Sequence, residues 1–359
     1  MKVAILGAGG IAYSYAAFLA SRSHQPMIWS PSGTGGKALA GGSELQASGA
    51  LEGSFRVPVA ESLEVLLSGA EAIVLALPAY GHKTVIDKLV PRLLPGQSLI
   101  LSAHLSFLAL YVSRSLTRHK LDNPIIVWNT SASTGRKVAP DAVSISMLRA
   151  QVEMAVIPAR AGQAALTLCE TLFGQRFVLK DDLIGVDLGN LNPALHLAVV
   201  MFNLTRIERA ETWMQNEHLT PAVCRLLEDL DRERLGVAEA LDASCRTVHQ
   251  AYAVPGQVEI GPLEEMMVKI SQLRRGVAGP RSLSTRYVTE DVPYGLLTTV
   301  RLAELAAVDV PLHRAGILIF SSLYGRNFVA ENQILPEIAD AFTSPAQLRR
   351  VTREGWAVL

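Results

Sequence analysis

Cysteine is scarce in this sequence: Cys169, Cys224 and Cys245 are odd in number and far apart. They match neither a disulfide framework nor a zinc-ligand spacing. That excludes a stapled secreted scaffold, predicts no metal site and favours a reducing, cytoplasmic setting. Net charge is lacking as well, with Lys plus Arg and Asp plus Glu at 33 each. No overall field draws such a chain to nucleic acid or to an anionic membrane, so neither partner is expected and a small-molecule substrate is. Long hydrophobic runs are missing too, none approaching the ~18–20 uninterrupted apolar residues of a membrane span. The opening MKVAIL has the Lys-then-apolar look of a secretion signal, but Gly7, Gly9 and Gly10 break the run too early for one.

What is present is an ample supply of core-forming residues. At 359 residues, 49% hydrophobic and 18% charged, the chain exceeds what one core commonly serves, and two domains are expected. No internal repeat or low-complexity tract interrupts it.

The first half reads as strand, turn, helix. KVAIL (2–6) runs into GAGGIA, and YSYAAFLASR then has helical spacing. Gly7 suits the tight turn, Gly9 lets a pyrophosphate approach the backbone, and Ala12 stands where a small residue permits close helix-on-strand packing. Gly10 and Ile11 complete the expected cofactor-binding turn at a helix N-terminus, whose free N–H groups suit phosphate. The next strand, PMIWS, leads into Ser30, Pro31, Ser32, Gly33, Thr34, Gly35, Gly36 and Lys37. A carboxylate that would hold an NAD ribose is absent from this loop. Ser30, Ser32 and Lys37 could instead receive a 2′-phosphate through charge-assisted hydrogen bonds, so NADPH is expected over NADH, with NADH still open.

Almost continuously apolar strands follow at 71–79 and 97–103, as expected for parallel strands buried on both faces. Segments 124–129, 142–148 and 152–158 are expected to extend the same sheet, with 177–182 as its last strand. Ligands in such folds bind beyond the carboxyl ends of the strands. Pro78, in the loop LALPAYGH, is a candidate cofactor contact. His82 and His104 are candidate nicotinamide or substrate contacts.

After Asp182 the alternation gives way to helices alone. The expected architecture is an α/β Rossmann-type doubly wound parallel sheet over 1–182 followed by an all-helical domain over 183–359, with the active site in a cleft between them. Helical spacing covers 192–217, 221–242, 263–272, 291–307 and 311–324, and SPAQLRRVTREG closes the chain as a helix stopped by Gly355. The stretch NLNPALHLAVVMFN (190–203) looks like the capped start of a long apolar helix, with Asn192 as N-cap and Pro193 first in the helix. His196 is the candidate proton carrier there. Asn203 follows about two turns on and would project from nearly the same face. On residue type alone, His196 and Asn203 read also as core groups satisfied by local hydrogen bonds.

AGP at 278–280, TRYVTEDVPYGL at 285–296, NLNPALH, the N-terminal GxGxxA and DLDRERLGVAEALD at 229–242 together resemble the opine dehydrogenases, the octopine and nopaline dehydrogenase family. The resemblance covers almost the whole chain. It implies reductive condensation of an amino acid amine with a 2-oxo acid: water leaves to give an imine, which hydride reduces. It further implies that His196 is catalytic with Asp291 as its partner, that Arg286 contacts the cofactor diphosphate and helps close the domains, and that Asn203 matches an asparagine in the family's long helix. Asn203 and Arg286, with His104 from its place beyond a strand end, are the candidate substrate-binding residues. Two departures stand out: Leu197 follows the histidine where relatives commonly carry Pro, and SAHLSFL replaces a glycine-rich turn. Read without the resemblance, Asp291 suits a helix cap and Arg286 an ion pair with Glu290 or Asp291. A 2-oxo acid or 3-hydroxy acid reductase of similar design, and a non-catalytic NADP-binding sensor, remain open, and a homodimer is compatible with the sequence.

Overall fold

Lys2–Leu6 pairs with strands on both sides, and its four apolar residues are buried, as a central strand covered on both faces requires. The computed structural model that shows this describes residues 1–253, 257–273 and 277–356. The chain divides into one unit of Met1–Asp187 with the C-terminal residues from Ala346, and another of Leu188–Pro345.

The strands of the first unit are β1 (Lys2–Leu6), β2 (Gln25–Trp29), β3 (Leu45–Gly49), β4 (Gly53–Phe55), β5 (Ala72–Leu75), β6 (Ser98–Leu101), β7 (Ile125–Trp128), β8 (Ser133–Ala139), β9 (Ala142–Leu148), β10 (Val152–Ile157) and β11 (Phe177–Leu179). Its helices are α1 (Gly10–Ser21), α2 (Lys37–Ala40), α3 (Leu63–Leu67), α4 (His82–Leu89), α5 (Leu108–Arg118) and α6 (Gly162–Phe173), with α7 (Leu183–Leu188) at its end. The larger sheet has the order β11-β10-β7-β6-β5-β1-β2. From β7 to β2 its neighbours are parallel, the Rossmann-type arrangement expected from the sequence.

Two expectations about this sheet are corrected. The strand at 152–158 joins it, but β10 runs antiparallel to β7. A parallel neighbour needs a crossover, usually a helix, and the chain between β7 and β10 supplies a hairpin instead. That hairpin contains the segment at 142–148, which does not extend the large sheet: β9 lies in a second sheet of order β4-β3-β9-β8. Its alternation carried the signal. Val143 and Ile145 are buried while Ser146 is exposed, the period-2 pattern of a strand with one covered face. The residues beneath it, Leu45, Ala47, Val143 and Ile145, share one core with Tyr13, Tyr15, Trp128 and Phe173.

The second unit is helical: α8 (Asn192–Glu208), α9 (Pro221–Ala240), α10 (Val248–Tyr252), α11 (Leu263–Leu273), α12 (Arg286–Thr289), α13 (Leu297–Ala306), α14 (Pro311–Tyr324) and α15 (Phe328–Glu331). Helix α8 is shorter than the spacing suggested, ending before Ala210, which has positive φ. It also starts one residue earlier: Asn192 is its first residue rather than its cap, and the Asn190 carboxamide accepts the Asn192 N–H at 3.1 Å. Leu183–Glu208 is long and apolar enough to cross a membrane by length and composition, but 89% of its apolar window is buried in the protein. Helix α9 is pinned by a buried pair. Asp231 accepts from Arg234 at 2.6 Å and from the Val248 N–H at 2.9 Å, while Arg234 donates to the carbonyls of Leu188 and Arg246. Burying two charges costs several kcal/mol unless all their polar atoms are engaged, which this network provides.

The closing helix, α16 (Pro345–Glu354), stops at Gly355 as predicted, where φ is +81. It was expected with the helical domain, yet its residues from Ala346 group with the first unit. Trp356 explains this, donating from its indole to Leu110 O at 2.6 Å and from its backbone to Ser113 Oγ at 3.1 Å, both on α5.

Candidate active site

The glycine turn is shaped by what surrounds each Cα. Gly7 has φ +142, and a Cβ there would fall 2.3 Å from the Ala76 carbonyl. Around Gly9 a Cβ would meet nothing within 4 Å, so the backbone there is open to a pyrophosphate. Gly10 differs. Its Cβ would strike the Gly135 carbonyl at 2.3 Å, so this glycine is needed for β8 to lie against the start of α1. Behind the turn each polar residue of the YSY run is engaged: Ser14 Oγ bonds Ser133 Oγ at 2.6 Å, and the Tyr15 hydroxyl bonds Ser102 at 2.6 Å and accepts the Ala132 N–H at 2.9 Å. Burial pushes the Tyr15 phenol up to about 12, against these bonds, and keeps it neutral.

The loop after β2 carries hydroxyls in a chain. Ser30 Oγ lies 3.1 Å from Ser32 Oγ, which lies 2.9 Å from Thr34 Oγ1. Lys37 is exposed at the first residue of α2. A second lysine holds the loop from outside it: Lys137 on β8 donates to Gly35 O at 2.7 Å and to the Tyr13 hydroxyl at 3.0 Å, with its ammonium 4.2 Å from the Tyr13 ring centre. Tyr13 in turn reaches Gly35 O and Pro140 O, each at 3.0 Å. Neither Tyr13 nor Lys137 stood out in the sequence, because their link spans 124 positions.

Pro78 caps a short turn just beyond β5, and His82 opens α4 after it. His82 is buried, and its Nε2 donates to Leu77 O at 2.8 Å. Burial pushes this imidazole down to about 4, helped by nearby His104 and opposed by the Leu77 bond. His104 has both ring nitrogens engaged, Nδ1 donating to Asp187 at 2.8 Å and Nε2 accepting from the Ala109 N–H at 3.0 Å. These bonds hold the loop after β6, where Ala103, Ser106 and Phe107 all have positive φ.

In the second unit His196 and Asp291 meet. His196 Nδ1 lies 2.6 Å from Asp291 Oδ2, the two residues being 9% and 7% exposed. A carboxylate only accepts, so Nδ1 carries the proton and Nε2 is left for other chemistry. Among the described residues Nε2 has no hydrogen-bond partner. Asp291 immediately precedes a wide π-turn, Val292–Leu296, of the kind found at functional sites. Pro293 contributes no N–H there, and Asn332 donates to its carbonyl at 2.7 Å while accepting the Ile334 and Leu335 N–H groups. Leu197, the departure from the family pattern, lies over Gly316 on α14, where a Cβ would fall 2.2 Å from Leu197 Cδ1.

The other expected residues stand apart from this pair in their bonding. Asn203 has non-helical φ and ψ within α8, and its amide donates to Val199 O at 2.9 Å. Arg286 is 60% exposed at its side chain and faces Glu290 at 3.6 Å. Sequence reasoning also missed Tyr287, which is stacked on His196.

Residues 179–324 match the family model for the NAD/NADP octopine/nopaline dehydrogenase alpha-helical domain. The chain is similar to an opine dehydrogenase of Arthrobacter sp. (strain 1C), 26% identical over 351 residues, covering 96% of this chain and 97% of the relative. Its fold is similar to a solved structure of octopine dehydrogenase with NADH and L-arginine, with a TM-score of 0.77 at 16% identity over 98% of each chain. It is also similar to NADP+-bound yersinopine dehydrogenase, with a TM-score of 0.71 at 17% identity over 98% of each. Over residues 179–324 the chain thus resembles the helical domain of the octopine/nopaline dehydrogenases, and over nearly its whole length it is similar to an opine dehydrogenase.

Proposed function

We propose that the chain is an NADP-dependent opine dehydrogenase that joins an amino acid to a 2-oxo acid, with His196 and Asp291 as its acid/base pair. The observation that carries the reading is the 2.6 Å contact between a buried imidazole and a buried carboxylate that leaves Nε2 uncommitted. In the reaction Nε2 takes a proton from the substrate's ammonium group, the freed amine attacks the keto carbon to form a carbinolamine, and Nε2 returns that proton to the hydroxyl, which departs as water. The imine carbon then accepts hydride, and the nitrogen keeps the proton of a secondary amine. Bound NADPH supplies that hydride. Asp291 holds the imidazole in the tautomer that presents Nε2, a role histidine suits because it exchanges protons near neutral pH.

The cofactor reading rests on the first unit. The open side of Gly9 fits a pyrophosphate. Ser30, Ser32 and Thr34, with Lys37 three residues further on, offer hydroxyls and a cation, and no carboxylate, to a 2′-phosphate. The solved relatives are described with NADH in one case and NADP+ in another, so this loop chemistry decides our preference. Gly10, Ile11, Ala12 and Pro78 are assigned to the cofactor side, with Arg286 on the diphosphate, and Asn203 and His104 to the substrate side. Three cysteines whose spacing matches neither a disulfide framework nor a zinc site support the cytoplasmic reading.

The test is NADPH oxidation over a matrix of amino acids against pyruvate, glyoxylate and 2-oxoglutarate, with the product identified by mass. Turnover that requires both substrates and yields a secondary amine supports the reading. Oxidation by an oxo acid alone makes the protein a simple reductase, and tight NADPH binding without turnover on any pair makes it a sensor.

A further inference from the structure

Tyr287 belongs neither to the cofactor loop nor to the acid/base pair, yet its ring lies on the imidazole of His196 with centroids 3.5 Å apart and planes 8° apart. Contact so close and so parallel covers one face of the imidazole. Tyr287 is the second residue of α12, and Asp291 follows it by four positions. Side chains four apart on a helical turn project to the same side. One short turn therefore brings an aromatic ring to the face of His196 and a carboxylate to its edge.

The tyrosine is itself held from the far end. Its hydroxyl donates to Gln215 Oε1 at 2.9 Å. Gln215 is buried, and its N–H donates to Val277 O at 2.7 Å. The same backbone pairing continues from Gly279 N to Trp213 O at 2.9 Å, with the Trp213 indole bonded to Pro280 O. The AGP segment thus serves to fix the strand-like stretch on which Gln215 stands.

A single hydrogen bond from Nδ1 to Asp291 defines a line and leaves the ring free to swing about it. A stacked face removes that freedom, and with edge and plane both set the direction of Nε2 is set. We propose that Tyr287 is a positioning residue for the condensation: by covering the face of His196 it fixes the ring plane and so aims Nε2 at the departing hydroxyl. The proposal rests on the reading of His196 as the proton donor.

The test compares Tyr287→Leu and Tyr287→Met, which remove the ring, with Tyr287→Phe, which keeps it, and with His196→Gln. Removal of the ring lowers kcat by about 10- to 100-fold with KM little changed, because a misaimed acid slows the step without loosening the substrate. Tyr287→Phe recovers most of the loss. In NMR spectra of the wild type, the carbon-bound imidazole protons of His196, identified by their loss in His196→Gln, lie upfield of their position in Tyr287→Met through the ring current. Identical positions, or an unchanged kcat in a folded ring-less variant, overturn the proposal. Wild-type turnover in His196→Gln would instead remove the acid/base reading itself. The two failures are thereby told apart, and the NMR comparison uses Tyr287→Leu if the methionine variant does not fold.

Discussion

The imidazole of His196 and the carboxylate of Asp291 are 95 positions apart in the chain and 2.6 Å apart in space. Residues that act as a unit do not lose activity additively. His196→Ala and Asp291→Asn are each expected to lower kcat/KM by about 10²- to 10⁴-fold, the usual contribution of acid/base assistance. The double variant should be little worse than the poorer single one. Steady-state kinetics on a confirmed substrate pair, with circular dichroism as a check on folding, measures this, and a fully active His196→Ala enzyme sinks the assignment.

A carboxylate introduced at position 30 should invert the cofactor preference. Ser30→Asp would repel a 2′-phosphate and accept from a ribose 2′-hydroxyl. Hydrogen bonds to charged groups contribute about 1.5–3 kcal/mol, so kcat/KM for NADPH is expected to fall about 10- to 100-fold while that for NADH rises. A variant that keeps its NADPH preference argues against this loop as the phosphate site.

Lys137 acts on the same loop without belonging to it. Lys137→Met removes the bonds to Gly35 O and to the Tyr13 hydroxyl. Because those bonds hold the backbone that any dinucleotide must meet, KM is expected to rise about tenfold for NADPH and NADH together, with kcat near that of the wild type. Cofactor titration by fluorescence provides a second measure. A selective loss of NADPH binding would show instead that Lys137 contacts the phosphate directly.

Gly279 and Gly261 form a matched pair for stability. A Cβ on Gly279 would lie 2.1 Å from Trp213, whereas one on Gly261 meets nothing within 4 Å. Gly279→Ala should cost about 1–3 kcal/mol, the range for overpacking a filled site, and Gly261→Ala should leave stability near the wild type or slightly above it. Urea unfolding of the two variants checks the difference, and equal midpoints would show that the Trp213 contact yields freely.

His82 supplies an acid-sensitive term. Its folded pKa is depressed to about 4, below the ordinary 6.5, so the unfolded chain takes up a proton first. Stability from this group is complete above the unfolded value and is lost as pH falls through about 6.5 toward 4, by at most roughly 3 kcal/mol. His82→Gln keeps a donor for Leu77 O but cannot titrate, so its unfolding free energy should decline less steeply over that window. Parallel slopes for variant and wild type would mean that His82 charges freely in the folded protein.

How much of this was legible follows from the distance over which each feature is encoded. The glycine turn between β1 and α1, the missing carboxylate after Trp29, the helical second half and the stop at Gly355 are written within a few residues, and local periodicity and backbone freedom suffice to read them. His196 was a candidate from its place on an otherwise apolar helix, and the resemblance added Asp291 as its partner. Tyr287 was within reach as the residue one turn before Asp291, had the spacing been read as a shared face.

The sequence by itself determined the local parts: a dinucleotide-type turn, a hydroxyl-rich loop without a carboxylate and a helix bearing a histidine. Only the tertiary structure decided which of these groups meet. It spends both nitrogens of His104 on Asp187 and the Ala109 N–H, and turns Asn203 onto Val199. It also sets Gly10 against Gly135, and it brings Tyr287 and Asp291 to the face and edge of His196. The reason is physical. Pairings across a hundred positions are chosen by which surfaces can be buried together with every polar atom satisfied, and no local pattern in the chain records that choice.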